Sequence, residues 1–318
     1  MDWTKIAYVF PGQGSQSVGM GKDLAEQYPV VRETFAQADD VLGVKLSALC
    51  FDGPEETLND TYNTQPALYV CGIALLRLVQ QELPDAHAAF AAGHSLGEFT
   101  ALAAAGALSF EDGLRLVRER GRLMQEAGTR SPGAMAALLG LDASVVRELC
   151  QKASEQTGKT LVLANDNCPG QNVISGDEAA LEVGMTLAKE AGAKKVVKLA
   201  VSIASHSPLM QSAADEFRQV LAATAFQPPR VPVYGNVEAA PLGSVEQIRH
   251  ELELQLTHSV RWTESVQAMI AAGVEHFVEL GPKDVLASLL KRIDRSRSAR
   301  AVNNLETLGK LLADARAG

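Results

Sequence analysis

The chain has 318 residues, long enough for one large domain or for a large domain carrying a smaller insert. Hydrophobic residues make up 47% and charged residues 21%, which excludes intrinsic disorder, and a net charge of −9 offers no basic face for nucleic acid. The four cysteines (Cys50, Cys71, Cys150, Cys168) form no CxxC pair, so neither a disulfide framework nor a zinc site is expected, and a reducing, cytoplasmic setting is.

In chain order, the first apolar run is Ile6 to Phe10, ended by Pro11-Gly12, the pattern of a strand buried on both faces. It is too short for a signal-peptide core, and no later run has the length of a membrane span. A glycine-rich loop (GQGSQSVGMG, 12–21) leads into a helical stretch to about Leu42. Residues 66–83 predict a helix with Pro66 in its first turn. Ala86 to Gly93 predict a strand, His94 to Glu98 a tight turn and the Ala-rich run 99–107 a helix. Strands alternating with helices predict an α/β fold with a mostly parallel sheet.

The middle of the chain differs. Residues 134–140, 161–165, 172–176 and 194–201 read as strands, and 143–156 and 177–191 as helices. That βαββαβ order is the signature of a ferredoxin-like unit. It is placed at 130–201, as a small domain inserted into a large one formed by 1–129 and 202–318. Two further strands follow at 231–237 and 276–280, and the charged run Lys291, Arg292, Arg295, Arg297 and Arg300 reads as a solvated helix end.

Gly93-His94-Ser95-Leu96-Gly97 fits G-x-S-x-G, the nucleophile elbow that holds a serine hydroxyl out of a sheet on a sharp strand-to-helix turn. The helix beginning there directs free N–H groups at the reaction centre. Such a serine needs a base. Six histidines are available: His87, His94, His206, His250, His258 and His276. His206 is favoured because SIASHSP (202–208) is a shaped loop of small residues. His94 reads as a support beside the serine, and the other four as surface or core residues. Spacing alone leaves the choice open. Phe10 to Gln16 (FPGQGSQ) fits neither a P-loop nor a dinucleotide loop; a backbone N–H from Gln13 aimed at an oxyanion suits it better.

FPGQGSQ (10–16), TQPAL (64–68), GHSLGE (93–98), RLVRERGRLMQEA (115–127), NCPGQNVISG (167–176), SHSPLM (205–210) and VELGPKDVL (278–286) together resemble the malonyl-CoA:acyl carrier protein transacylase family, related to the acyltransferase domains of polyketide synthases. The resemblance spans nearly the whole chain. It implies an α/β-hydrolase-like large domain with a ferredoxin-like insert, and malonyl transfer from coenzyme A to the phosphopantetheine of an acyl carrier protein through a malonyl-serine ester, in fatty-acid or polyketide synthesis. It implies Ser95 as nucleophile, His206 as base, and the backbone N–H groups of Gln13 and Leu96 as the oxyanion hole. Arg120 would pair with the malonate carboxylate, and the backbone carbonyl of Gln255 would orient His206. Gln65, His94, Asn167 and Ser205 fall at pocket positions. The substrates implied are a coenzyme A thioester and phosphopantetheinylated carrier protein, with no bound cofactor and no metal. A monomer is the simplest oligomeric state, with no membrane or nucleic-acid partner.

Two positions depart from the family pattern. Lys283 in GPKDVL is shifted by one place and is given no role. Ser205 stands where many malonyl-selective domains carry a bulky aromatic, which leaves methylmalonyl open as a minor substrate. Two other readings stay open: a serine thioesterase or acylhydrolase of the same fold, and a silent docking subunit.

Overall fold

A computed structural model describes residues 1–201 and 203–317; Ser202, where the large domain is expected to resume, and Gly318 lie outside the described residues. The strands among the described residues are β1 (Ile6–Phe10), β2 (Phe90–Gly93), β3 (Ala134–Leu139), β4 (Leu161–Cys168), β5 (Gln171–Gly176), β6 (Lys195–Lys198), β7 (Val233–Tyr234), β8 (Pro241–Leu242), β9 (His276–Leu280) and β10 (Ser298–Val302). They form a six-stranded sheet in the order β10-β9-β1-β2-β7-β8 and a four-stranded sheet in the order β4-β5-β3-β6.

The large sheet is parallel except for β8, which runs antiparallel to β7. β1 lies at its centre with all five residues buried, so its continuous apolar run matches a strand covered on both faces. The small sheet is antiparallel throughout. Its order, with the helices Ala143–Thr157 and Glu178–Glu190 between the strands, is that of a ferredoxin-like unit, as expected. No helix among the described residues is long and apolar enough to cross a membrane.

Several expectations need correction: the strand expected at Ala86–Gly93 begins at Phe90, and the one expected at 194–201 spans Lys195–Lys198. The helix predicted from Pro66 spans Thr61–Glu82, with Asp60 as its N-cap, so Pro66 lies inside it. The ring removes the N–H that would bond the Tyr62 carbonyl. Arg118 Nη1 donates to that carbonyl instead, at 3.3 Å, and the helix continues. β4 runs to Cys168, past the predicted 165, because Val260 lies alongside it: Asp166 N donates to Val260 O at 2.9 Å, and Val260 N to Ala164 O at 2.8 Å. VPVYGNV contracts to a two-residue strand. The charged run is a helix end only as far as Ile293; Arg300 lies on the edge strand β10, paired with Asp314 at 2.5 Å. A short edge strand of small residues around one charge escapes a reading based on apolar runs.

Candidate active site

β1 and β2 are neighbours, and their carboxyl ends deliver two loops to one crevice, where ligands bind in open parallel sheets. After β2 the chain turns at Ser95 (φ 51°, ψ −107°) into the helix Leu96–Ala104. That backbone is strained for a residue with a side chain. The flanking glycines make the turn fit. A Cβ on Gly93 would lie 1.9 Å from the Gly97 carbonyl, and one on Gly97 would lie 1.9 Å from the Phe10 oxygen. Asn236, fully buried, clamps the turn from outside: it accepts from Ser95 N at 2.6 Å and donates to Gly93 O at 2.7 Å.

His206, also at positive φ (58°), reaches the same point. Its Nδ1 lies 2.8 Å from Gln255 O and 3.2 Å from His258 O. Carbonyls only accept, so Nδ1 carries the proton and Nε2 is bare. Ser95 Oγ then donates to Nε2, at 2.8 Å. Burial, reinforced by the Arg120 charge, pushes the imidazole down to about 3. The His206 imidazole is therefore neutral and oriented without a carboxylate.

Arg120, on the helix Phe110–Arg130, is 1% exposed and has no carboxylate partner among the described residues. Its Nη1 donates to Gln65 Oε1 at 2.9 Å, and its Nη2 to Gln255 Oε1 at 2.9 Å and to Ser95 Oγ at 3.1 Å; Nε has no partner among the described residues. Burial lowers its affinity for the proton to about 10, so it stays charged at neutral pH. A buried, unpaired guanidinium is costly unless an anion joins it.

The crevice is a cavity of about 230 Å³. Gln13, His94, Ser95, Leu96, Arg120, Asn167, Ser205 and His206 all line it. Gln65 and Gln255 stand behind Arg120 as its hydrogen-bond acceptors. The Gln13 and Leu96 backbone N–H groups make no hydrogen bond to protein among the described residues. His94 is held off the serine: its Nε2 pairs with Asn167 Oδ1 at 2.8 Å, its ring meets Trp262 edge-on, and burial lowers its proton affinity. The apolar wall comes from the small sheet and its exit (Met135, Val173, Leu199, Val201) and from the helix Val285–Ile293.

The residues singled out in the sequence meet at one cavity, but the scaffold between them was not read from the sequence. Asn236, Glu98, the Gln255 side chain and the His258 carbonyl all join groups far apart in sequence. Glu98 stood inside the GHSLGE motif; the other three carry no local signal.

The acyl transferase domain family matches residues 7–317 of the chain. The malonyl CoA-acyl carrier protein transacylase of Bacillus subtilis (strain 168) is 46% identical over 307 residues, covering 96% of this chain and 95% of that protein. The crystal structure of malonyl-CoA:acyl carrier protein transacylase from Xanthomonas oryzae pv. oryzae superposes with a TM-score of 0.94 at 46% identity, covering 98% of each chain. A malonyl-transacylase solved in complex with its holo type II polyketide synthase acyl-carrier protein superposes with a TM-score of 0.94 at 45% identity, covering 98% of this chain and 100% of that one.

Proposed function

This chain belongs to the acyl transferase domain family, among the malonyl-CoA:acyl carrier protein transacylases, and we propose that it carries out their reaction with Ser95 as nucleophile and His206 as base. It is an acyltransferase that moves malonyl from coenzyme A to an acyl carrier protein, for fatty-acid or polyketide assembly. The observation that carries the residue assignment is a buried guanidinium with no counter-ion among the described residues, 3.1 Å from the serine oxygen that is itself 2.8 Å from a bare imidazole nitrogen.

In the first half-reaction, Ser95 Oγ attacks the thioester carbonyl of malonyl-CoA while its proton passes to His206 Nε2. The carbonyl oxygen becomes an oxyanion, held by the Gln13 and Leu96 N–H groups; such a donor is worth ~3 kcal/mol in the transition state. The intermediate collapses, the C–S bond breaks, and His206 returns the proton to the departing sulfur. In the second, the phosphopantetheine thiol gives its proton to His206 and its sulfur attacks the malonyl ester. The ester C–O bond breaks and Ser95 takes the proton back. Arg120 pairs with the free carboxylate of malonyl throughout, whereas acetyl would leave it unpaired. Ser205, a small residue on the cavity wall, leaves room for methylmalonyl as a minor substrate.

Residues 130–201 act as the small domain that roofs the site: their sheet lies wholly within 134–198, and it lines the cavity. The basic residues near the cavity mouth are the landing area for an acidic carrier protein. The chain acts as a cytoplasmic monomer, a reading that its four free, buried thiols suit.

Intact-mass analysis after incubation with malonyl-CoA, methylmalonyl-CoA and acetyl-CoA separately tests the assignment. A malonyl adduct is expected on the wild type, none on Ser95→Ala, and a collapsed malonyl preference in Arg120→Ala. Retained labelling of Ser95→Ala moves the nucleophile elsewhere. With phosphopantetheinylated carrier protein added, free malonate in place of malonyl-carrier protein makes the chain a hydrolase.

A further inference from the structure

Arg120 is held by neutral groups: the amide oxygens of Gln65 and Gln255 and the Ser95 hydroxyl. Such acceptors fix the guanidinium fork without cancelling its charge. An amide, however, can present either of two ends. With its NH₂ turned toward the guanidinium, Gln255 would oppose two donors and release the fork.

The Gln255 amide is not free to turn. Its Nε2 donates to Glu98 Oε2 at 2.7 Å and to Ser95 O at 3.0 Å. Glu98 is fully buried on the first turn of the elbow helix, and its Oε1 has no partner among the described residues. A buried carboxyl so placed is costly. It sits one side chain away from Arg120, with the Gln255 amide between them. We propose that Glu98 is a positioning residue for acyl selection: it turns the Gln255 amide so that its oxygen faces Arg120, and so aims the guanidinium at the substrate carboxylate. This rests on the reading of Arg120 as the carboxylate clamp. Burial, reinforced by the Glu251 carboxyl, pushes the Glu98 carboxyl well above the usual carboxylate range.

Serine acylation by malonyl-CoA and by acetyl-CoA, measured as kcat and KM, tests this in Glu98→Leu, Glu98→Gln, Gln255→Leu and the Glu98→Leu/Gln255→Leu double variant. Glu98→Leu is expected to lower malonyl kcat/KM by about tenfold or more, mostly through KM, with acetyl changed by no more than about threefold. Glu98→Gln keeps an acceptor oxygen toward Gln255 and is expected to recover most of the malonyl preference. If Glu98 acts through Gln255, the double variant is no worse than the poorer single one. Equal loss for both acyl groups in Glu98→Leu, or additive losses in the double variant, overturns the proposal. Should Glu98→Leu fail to fold, Gln255→Leu decides alone: an unchanged malonyl-to-acetyl ratio there overturns it. Arg120→Ala separates the two readings. An unchanged ratio in Arg120→Ala rejects the clamp itself, whereas a collapsed ratio there beside an intact one in Glu98→Leu rejects only the role of Glu98.

Discussion

A serine hydroxyl attacks at neutral pH only if a bare nitrogen stands ready for its proton, and two backbone carbonyls on Nδ1 give His206 that tautomer. Burial first, and the Arg120 charge second, hold the imidazole down at about 3. In the unfolded chain the same group titrates near ~6.5. The unfolded state therefore binds the extra proton in between, and the stability contribution from His206 is complete above the unfolded value and lost as pH falls toward the folded one. The rate follows the folded value. Ser95 acylation by acetyl-CoA, which brings no carboxylate of its own, is expected to be flat from about pH 5 to 8. A titration centred at the ordinary imidazole value contradicts the arrangement. Ser95 was legible because a nucleophile elbow is written in five consecutive residues. His206 was favoured, and the Gln13 N–H singled out, from their own loops, but Arg120 became legible only through the resemblance, since spacing cannot tell a buried guanidinium from a solvated one beside Arg115, Arg118 and Arg122. Asn236 was illegible, because what it clamps lies more than a hundred residues upstream.

At the scale of elements, the elbow works because β1 and the elbow helix touch backbone to backbone. Gly97 has no room for a Cβ, with the Phe10 oxygen at 1.9 Å and the Pro11 oxygen at 3.0 Å. Both neighbours are main chain, so neither can swing aside. Gly97→Ala is expected to cost ~1–3 kcal/mol in denaturant unfolding and to slow Ser95 acylation, by tilting the helix that carries the Leu96 N–H. Gly309, on the helix Leu305–Ala317, has nothing within 4 Å of an added Cβ. Gly309→Ala is therefore expected to stabilise by up to ~1 kcal/mol and leave acylation alone. Equal effects at the two positions contradict the close approach. The same contrast explains which elements could be read. β1 and β9 announce themselves as short apolar runs closed by turn residues, and both lie where the sequence puts them. The helix from Thr61 could not be bounded, because the Arg118 contact that lets it pass through Pro66 comes from another helix.

For the whole molecule, a net charge of −9 repels an acidic carrier protein at long range, so the proposed docking calls for local positive charge near the cavity. Arg292, on the helix whose Val285 and Leu289 line the cavity, is set there by two contacts: Nη1 to Gln171 Oε1 at 2.5 Å, and Nη2 to Pro169 O at 3.1 Å. Both acceptors are neutral, so its charge is left for a partner. Lys194 stands beside Gly140, which in turn lies 3.8 Å from an added Cβ on Gly170, in the turn that Arg292 holds. A basic residue on the helix Val285–Ile293 and another just before β6 thus lie on either side of Gly140 and the turn between β4 and β5. Arg292→Glu and Lys194→Glu are expected to raise KM for the carrier protein by about two- to fivefold each at low ionic strength, the effect fading as salt is added. Acylation of Ser95 by a small neutral ester reads the chemistry without the docking, and it is expected to stay level in both variants. A carrier-protein KM that ignores both charge reversals and salt places the landing surface elsewhere on the molecule.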